Sequence, residues 1–254
     1  MKSFLRELKS RNKILYYFGW YNLLAGTICL LLIPFDEVQI LGISRWIKPV
    51  KFFLSVWIMV WSMGWMMYYL NAIRGVKVCS WLIVIFMFFE NFIITMQSAR
   101  GITSHFNSTN TVNLILFNLM GVAIGLFTIT IIYILILFLR QKQFLISSSY
   151  VWGIRLGILL FIIFSSEGGM MVENNAHTVG APDGGEGLPL VNWSKKYGDL
   201  RVAHFFGMHA LQIIPLFSYY LAKTKRQVII FSILYFFIVS AIFVQAMYKI
   251  PMLP

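Results

Sequence analysis

"TVNLILFNLMGVAIGLFTITIIYILILFL", residues 111–139, is a continuous apolar stretch that contains no charged side chain. A helix of about 20 residues crosses the ~30 Å hydrocarbon core of a bilayer, so this stretch is long enough to span it. Unpaired backbone groups are costly in lipid, whereas an α-helix pairs its own backbone groups internally. The stretch therefore predicts a transmembrane α-helix.

Other apolar segments of similar length flank this stretch on both sides. They are predicted near 15–34, 50–70, 77–99, 150–171, 201–222 and 227–249. Together with 111–139 they predict an all-α fold: a polytopic membrane protein with a bundle of seven transmembrane helices, forming one domain over residues 1–254. The longest connection, residues 172–200, is rich in Gly, Pro, Asn and Asp, which favour turns. We expect it to form an extracytoplasmic loop that caps the helix ends.

The composition supports a membrane protein and excludes several soluble classes. Hydrophobic residues make up 59% of the chain and charged residues 12%, and 21 basic residues against 9 acidic ones give a net charge of +12. In a soluble protein such a charge would suggest nucleic acid, but in a membrane protein lysine and arginine anchor helices and set their orientation. The lipid bilayer is thus the predicted partner, and nucleic acid is not.

The basic residues also predict how the chain crosses the membrane. Near the span ends, basic residues are more numerous on the side of the membrane that holds the N-terminus than on the other side. This bias places the N-terminus in the cytoplasm and the C-terminus outside. All four histidines and most acidic residues then lie toward the outer side, where we expect the functional region. Trp46, Lys48 and Lys51 at the start of the second span predict an interfacial anchor rather than a ligand contact.

The third span carries polar residues at membrane depth. Glu90 lies about 15 Å inward of Arg100, and a carboxyl group at that depth is a candidate catalytic or proton-carrying group. Gln97 lies within about 20° of the same helix face and, with Arg100, is a candidate substrate contact. If the helix persists through "GITSHF", His105 faces inward as well. The alternatives are a protonated Glu90 that only hydrogen-bonds across the bundle, a snorkelling Arg100, and a capping role for His105 near Asn107.

The fifth span ends in "SSEGG", residues 165–169. Glu167 is a second candidate catalytic carboxyl, because Gly168 and Gly169 after it can loosen or end the helix, and broken helix ends line cavities in membrane proteins. A plain interfacial carboxylate is the alternative.

The sixth span begins with "GDLRVAHFFGMHALQ", residues 198–212. His204 and His209 are five residues apart, about 140° around a regular helix, so they do not share a face there. Unless the helix starts after His204 or carries a π-bulge, they do not bind one metal ion together. His209 shares a face with Gln212, and His204 shares another with Arg201. Gln212 and Arg201 are therefore candidate substrate contacts.

Two functional hypotheses follow from these residues. In the first, His105, His204 and His209 hold a haem b or a transition metal, with Glu90 nearby, in a redox protein or enzyme. In the second, the protein is a transporter or a small-ligand-binding sensor in which an arginine contacts an anionic group. A third interpretation treats all of these residues as interfacial or structural. Since no trio of residues forms a nucleophile with its base, the sequence does not decide whether the protein is an enzyme.

Three motifs resemble those of a family of uncharacterised bacterial polytopic membrane proteins. They are "WIKPVKF" (46–52), "ARGITSHFN" (99–107) and "GAPDGGEGLPL" with "GDLRVAHFFGMHALQ" (180–212). The resemblance implies a bacterial inner (plasma) membrane, which the chain crosses several times. It implies no activity and no cofactor.

Overall fold

The computed structural model describes residues 2–253, and α-helices carry most of this range. The helices are α1 (Lys2–Arg11), α2 (Lys13–Leu32), α3 (Ile47–Met66), α4 (Ile73–Ala99), α5 (Thr111–Arg140), α6 (Ser148–Ser165), α7 (Glu167–Glu173), α8 (Leu200–Met208), α9 (Ala210–Tyr220) and α10 (Lys225–Met247). Two connections each contain an antiparallel pair of two-residue strands. Between α2 and α3, β1 (Gln39–Ile40) pairs with β2 (Ile43–Ser44), and between α7 and α8, β3 (Thr178–Val179) pairs with β4 (Gly198–Asp199).

Seven helical segments within residues 2–253 are long and apolar enough to cross a bilayer. They are Lys13–Phe35, Ile47–Tyr69, Ile73–Ala99, Thr111–Arg140, Ser148–Glu173, Leu200–Tyr220 and Lys225–Met247. Many of their large apolar side chains are exposed, such as Val122 at 59% and Ile129 at 61%. In water this surface would be an aggregation hazard, but lipid tails solvate it. The predicted all-α, seven-helix fold is confirmed, and the protein is an integral membrane protein.

The chain folds as two compact units, Met1–Gln141 and Lys142–Pro254. In the first unit α2 packs along α3, and α4 packs against α5. Glycines permit the close approach of α2 and α3: a Cβ added at Gly26 would lie 3.1 Å from Phe53 Cβ, and one added at Gly19 would overlap the Trp61 indole. Small residues serve this purpose in membrane helices, where burial of apolar surface does not itself drive helix association.

Asn12 separates α1 from α2 in the first unit. Its backbone is extended (φ −152°, ψ 93°), its Oδ1 accepts from the Leu15 amide at 3.0 Å, and its Nδ2 donates to Ser80 Oγ at 2.8 Å. An asparagine in this position caps the new helix by pairing an otherwise unsatisfied N–H group. The basic N-terminal segment is therefore a separate short helix rather than the beginning of the first span.

In the second unit α6 packs on α9, with α8 and α10 beside them. The core of this unit includes Phe164, Ala203, Ala210, Ile214 and Val239. The fifth and sixth spans each carry a one-residue interruption: the fifth divides into α6 and α7 at Ser166, and the sixth into α8 and α9 at His209. The fifth span thus breaks one residue before Glu167, not at the glycines that follow it.

The connection between α7 and α8, residues 174–199, is folded. β3 pairs with β4 near its two ends, and Gly187 forms an isolated bridge with Ser194. The Leu200 amide donates to the His177 carbonyl at 3.0 Å, which ties the first residue of α8 to the first part of the loop. Trp193 packs against Phe205 and Phe206 of α8, with ring centroids 5.6 and 6.2 Å apart. The loop is therefore attached to the helix that it precedes.

Candidate functional site

His105 lies in a loop of the first unit and not on a prolonged α4. The helix ends at Ala99 because Gly101 adopts φ +73°, and the amides of Gly101 and Ile102 donate to the carbonyls of Ser98 (2.9 Å) and Gln97 (3.1 Å). This pair of hydrogen bonds is a Schellman motif, which terminates a helix at a glycine. The condition for an inward-facing His105 on this helix, its persistence through "GITSHF", is thus not met, and Gly101 was the available signal.

Lys48 is the principal partner of His105. The Lys48 ammonium lies 3.2 Å from His105 Nδ1, and Ser104 Oγ lies 3.0 Å from the same nitrogen. Because an ammonium group can only donate, Nδ1 accepts and the ring hydrogen lies on Nε2. The rings of Phe52 and Phe117 flank the imidazole, each with its centroid 6.1 Å away. Sequence reasoning assigned Lys48 to membrane anchoring, and the structure adds this contact with a candidate site residue.

Glu90 is buried within the first unit, at 3% exposure. Its Oε1 has no hydrogen-bond partner within residues 2–253, and the charge of Lys48 acts on the carboxyl group. The neighbouring Asn91 donates to Asn22 Oδ1 at 2.8 Å, while its own Oδ1 has no partner in the described part of the chain. A buried polar group without a partner lowers stability, so Glu90 is poorly explained by a purely structural role.

Gln97 and Arg100 form a separate polar cluster with Asn113 of α5. Gln97 Nε2 donates to Asn113 Oδ1 at 3.0 Å, and Arg100 Nη1 donates to Gln97 Oε1 at 2.7 Å. Among the residues described, no carboxylate lies within 4 Å of the Arg100 guanidinium. Gln97 therefore positions Arg100 instead of extending a polar stripe from Glu90.

His204 lies against the interruption of the fifth span in the second unit. Its Nδ1 is 3.0 Å from the Phe164 carbonyl oxygen, and a Cβ added at Gly168 would lie 3.9 Å from its Cε1. In a regular helix the residue-168 amide would pair with the Phe164 carbonyl. Since a carbonyl can only accept, the hydrogen of His204 lies on Nδ1, and Nε2 of the neutral ring presents a lone pair.

Glu167 begins α7, next to the Gly168 position that His204 contacts. It is 6% exposed, and its Oε2 is enclosed without a hydrogen-bond partner within residues 2–253. Glu167 is thus the chain neighbour of Gly168, whose added Cβ would lie 3.9 Å from His204, and both Glu167 and His204 were predicted as site residues. Both offer an acceptor: a carboxylate oxygen and an imidazole nitrogen.

His177 and Asp183 form a hydrogen-bonded pair within the loop, although the sequence analysis did not select His177. The His177 Nδ1 lies 2.5 Å from Asp183 Oδ2. Burial disfavours the charged Asp183, but hydrogen bonds from His177 and Thr178 outweigh that effect and hold the pKa of Asp183 well below its usual range. The loop therefore holds an ionised carboxylate that is paired with a histidine.

Arg201 is engaged with Asp199 at the start of α8. Its Nε donates to Asp199 Oδ1 at 2.9 Å and its Nη2 to Asp199 Oδ2 at 2.6 Å, and Nη2 also donates to the Asn192 carbonyl. Asp199 is 2% exposed and also accepts from the Ser194 amide at 2.8 Å. Through these contacts the Arg201 guanidinium holds the end of the loop in place. The role of Arg201 as a substrate contact stays a prediction.

His209 and Gln212 lie at the junction of α8 and α9. His209 Nδ1 is 3.2 Å from Gln212 Oε1, and its ring centroid is 4.5 Å from that of Phe205. The contact agrees with the predicted shared face of His209 and Gln212. The Phe206 carbonyl accepts from the Tyr235 hydroxyl of α10, which satisfies a backbone group near the interruption.

The predicted metal site gains no support from this geometry. Within residues 2–253, no group of three or more His, Cys, Asp or Glu side chains is arranged to hold a metal ion. His105 belongs to the first unit, whereas His204 and His209 belong to the second. Ligation of haem b by two of these histidines stays a prediction.

Comparisons of the chain with protein-family models, with curated proteins and with solved structures give no match.

Proposed function

We propose that the protein binds, as a transporter or a sensor, a small cationic ligand at the interrupted fifth and sixth spans of its second unit. The observation that carries this proposal is the enclosed Glu167 Oε2, which has no hydrogen-bond partner within residues 2–253. Interrupted helices are a recurring feature of membrane transporters, where the irregular backbone lines the substrate site. Here both interruptions occur in one unit, at Ser166 and His209.

The chemistry of the available groups selects the ligand class. Glu167 Oε2 and His204 Nε2 are both acceptors, so the ligand must donate hydrogen bonds. Arg201, the basic residue at the start of α8, is already paired with Asp199 and does not offer its charge to an anion. A protonated amine, which carries a positive charge and several N–H donors, complements this arrangement better than a carboxylate or phosphate.

We also propose in which membrane the protein lies and which way it is oriented there. The motif resemblance supports a bacterial inner (plasma) membrane, and the excess of basic residues near the N-terminal side supports a cytoplasmic N-terminus. Under that orientation the loop 174–199 and the Glu167–His204 pair face outward, where a ligand from the exterior would enter. A haem or metal centre stays a prediction and is not part of this proposal.

The test is ligand binding by purified full-length protein in detergent. Primary alkylammonium ions are compared with neutral alcohols and carboxylates of the same size, at constant ionic strength, by thermal shift and calorimetry. We expect stabilisation by the ammonium ions alone. Glu167→Gln should weaken ammonium binding by roughly 10- to 100-fold, the usual effect of losing a charged hydrogen bond of about 1.5–3 kcal/mol.

Two further variants separate binding from folding. Glu173→Gln removes an exposed carboxylate of the same short helix and should change ammonium affinity less than about twofold, as surface charges usually do. His204→Asn keeps a donor near the position of Nδ1 and removes the Nε2 acceptor, so it should weaken binding without unfolding the helix break. Unchanged ammonium affinity in a folded Glu167→Gln protein would refute the proposed site.

A further inference from the structure

The first unit contains an apolar groove between α2 and α4. Its volume is about 360 Å³, and it is lined by Lys13, Ile14, Tyr17, Phe18, Trp81 and Val84. The volume falls within the range of about 300–1,000 Å³ that is common for small-molecule sites. Five of the six lining residues are apolar or aromatic, and the sixth, Lys13, is the first residue of α2.

Basic side chains gather at the end of the groove marked by Lys13. Lys77 lies one helical turn before Trp81 and shares its face of α4, because residues four apart are neighbours on a helix. Lys9 of α1 places its ammonium 5.4 Å from the Tyr17 ring centroid. None of these three lysines has a carboxylate within 4 Å in the part of the chain described.

The position of α1, and with it Lys9, is fixed by specific contacts. Leu8 is fully buried, and Phe4 stacks on Trp65 with centroids 5.3 Å apart. Arg11 pairs with Glu7 at 2.9 Å and lies 3.8 Å from the Trp65 ring centroid. Glu7, the acidic residue of α1, is thus occupied by Arg11 and does not neutralise Lys9.

We propose that this groove binds an anionic phospholipid, with an acyl chain along Ile14, Phe18 and Val84 and the phosphate at Lys13, Lys77 and Lys9. The apolar lining suits a hydrocarbon chain, and basic pockets between transmembrane helices bind acidic headgroups. A soluble phosphate would leave the apolar lining unused. A neutral phospholipid would leave the three ammonium groups without a net negative partner. This inference is independent of the proposed amine site.

The test uses full-length protein reconstituted in vesicles of mixed phosphatidylcholine and phosphatidylglycerol. Bromine on the acyl chains of one lipid or the other quenches tryptophan fluorescence on contact, and a Trp81→Phe protein identifies the Trp81 contribution. We expect brominated phosphatidylglycerol to quench Trp81 more than its share of the lipid predicts. Each lysine contributes about 1 kcal/mol near an anionic surface, so Lys13→Gln and Lys77→Gln should each reduce this preference roughly fivefold.

The controls distinguish the site from general attraction of anionic lipid. Lys223→Gln changes an exposed basic residue of the second unit and should leave the Trp81 preference unchanged. Equal quenching by the two brominated lipids would overturn the proposal, as would an unchanged preference in the Lys13→Gln, Lys77→Gln double variant. Loss of the preference on adding inorganic phosphate would show recognition of phosphate alone and would also overturn it.

Discussion

Two buried polar residues of α4 differ in how well the fold satisfies their hydrogen bonds. Glu90 is buried and has an enclosed oxygen without a partner within residues 2–253, whereas Gln97, two helical turns away, is hydrogen-bonded through both its amide nitrogen and its amide oxygen. The two polar residues were predicted from the same helix face, yet only one of them is accommodated by the fold. A fold that keeps an unsatisfied carboxyl group points to a role outside stability, because such sites are where activity and stability conflict.

Glu90→Leu should raise the thermal stability of the purified protein. Removal of a buried polar group without a partner relieves a cost of about 1–3 kcal/mol, and leucine is compatible with the apolar surroundings. Thermal unfolding in detergent, followed by tryptophan fluorescence, measures this change. Gln97→Leu serves as the contrast, since it breaks hydrogen bonds to Asn113 and Arg100 and should lower the same stability. A lower melting temperature for Glu90→Leu would show that Glu90 has a structural role.

Asp183→Asn should loosen the loop 174–199. Asp183 accepts from the His177 and Thr178 amides and contacts the His177 ring, so losing its charge should cost roughly 1–3 kcal/mol of local stability. Since folding lowers the Asp183 pKa, its contribution is complete above the ordinary carboxyl pKa of about 3.9 and is lost only as pH falls through the lower folded value. Hydrogen exchange of the loop amides should therefore be faster in Asp183→Asn at neutral pH. Equal exchange in the two proteins at neutral pH would contradict this prediction.

At the scale of elements, the informative feature is the pair of interrupted spans. Hydropathy places all seven spans, because length and apolar character are local properties of the sequence. The break at Ser166 depends on a distant residue, since His204 supplies the hydrogen bond that the Phe164 carbonyl receives. The Phe206 carbonyl near the second break likewise depends on Tyr235 of another helix. Neither partner is visible from the spacing of residues within one span, and the same holds for Lys48 beside His105.

Gly207→Ala should destabilise the packing of α8 on α6. A Cβ at residue 207 would overlap the Cβ of Phe164, the residue whose carbonyl is bound by His204. Overpacking of this kind costs about 1–3 kcal/mol, and thermal unfolding is the measurement. Gly125→Ala is the matched control, because apart from its own chain neighbours and the surrounding helix backbone no heavy atom within residues 2–253 lies within 4 Å of the added Cβ. There the higher helix propensity of alanine should leave stability unchanged or raise it by up to about 1 kcal/mol.

At the scale of the whole molecule, the distribution of basic residues predicts one orientation of the protein in the membrane. The basic residues of α1 and of the first turns of α4 are predicted to lie in the cytoplasm, and the loop 174–199 at the exterior. The measurement is cysteine labelling in intact cells with a membrane-impermeant maleimide. The native Cys29 and Cys79 are both buried, so background labelling should be low.

Gly185→Cys, at an exposed position in the loop, should be labelled from outside, and Ser10→Cys of α1 should be labelled only after the cells are opened. Equal access from outside to both positions, or the reverse pattern, would contradict the predicted orientation. Both positions are exposed in the structure, so a difference in labelling reports the side of the membrane and not burial.

The β3–β4 pair should hold the loop together even when the chain is cut at the loop tip. Because Thr178 pairs with Asp199 and Val179 with Gly198, the loop is closed at its base and its tip protrudes beyond that closure. A nick between Gly184 and Gly185 would leave both new ends on the same side of the paired strands. The two fragments should then stay together after cleavage, so the tip tolerates an inserted epitope tag without separating α7 from α8.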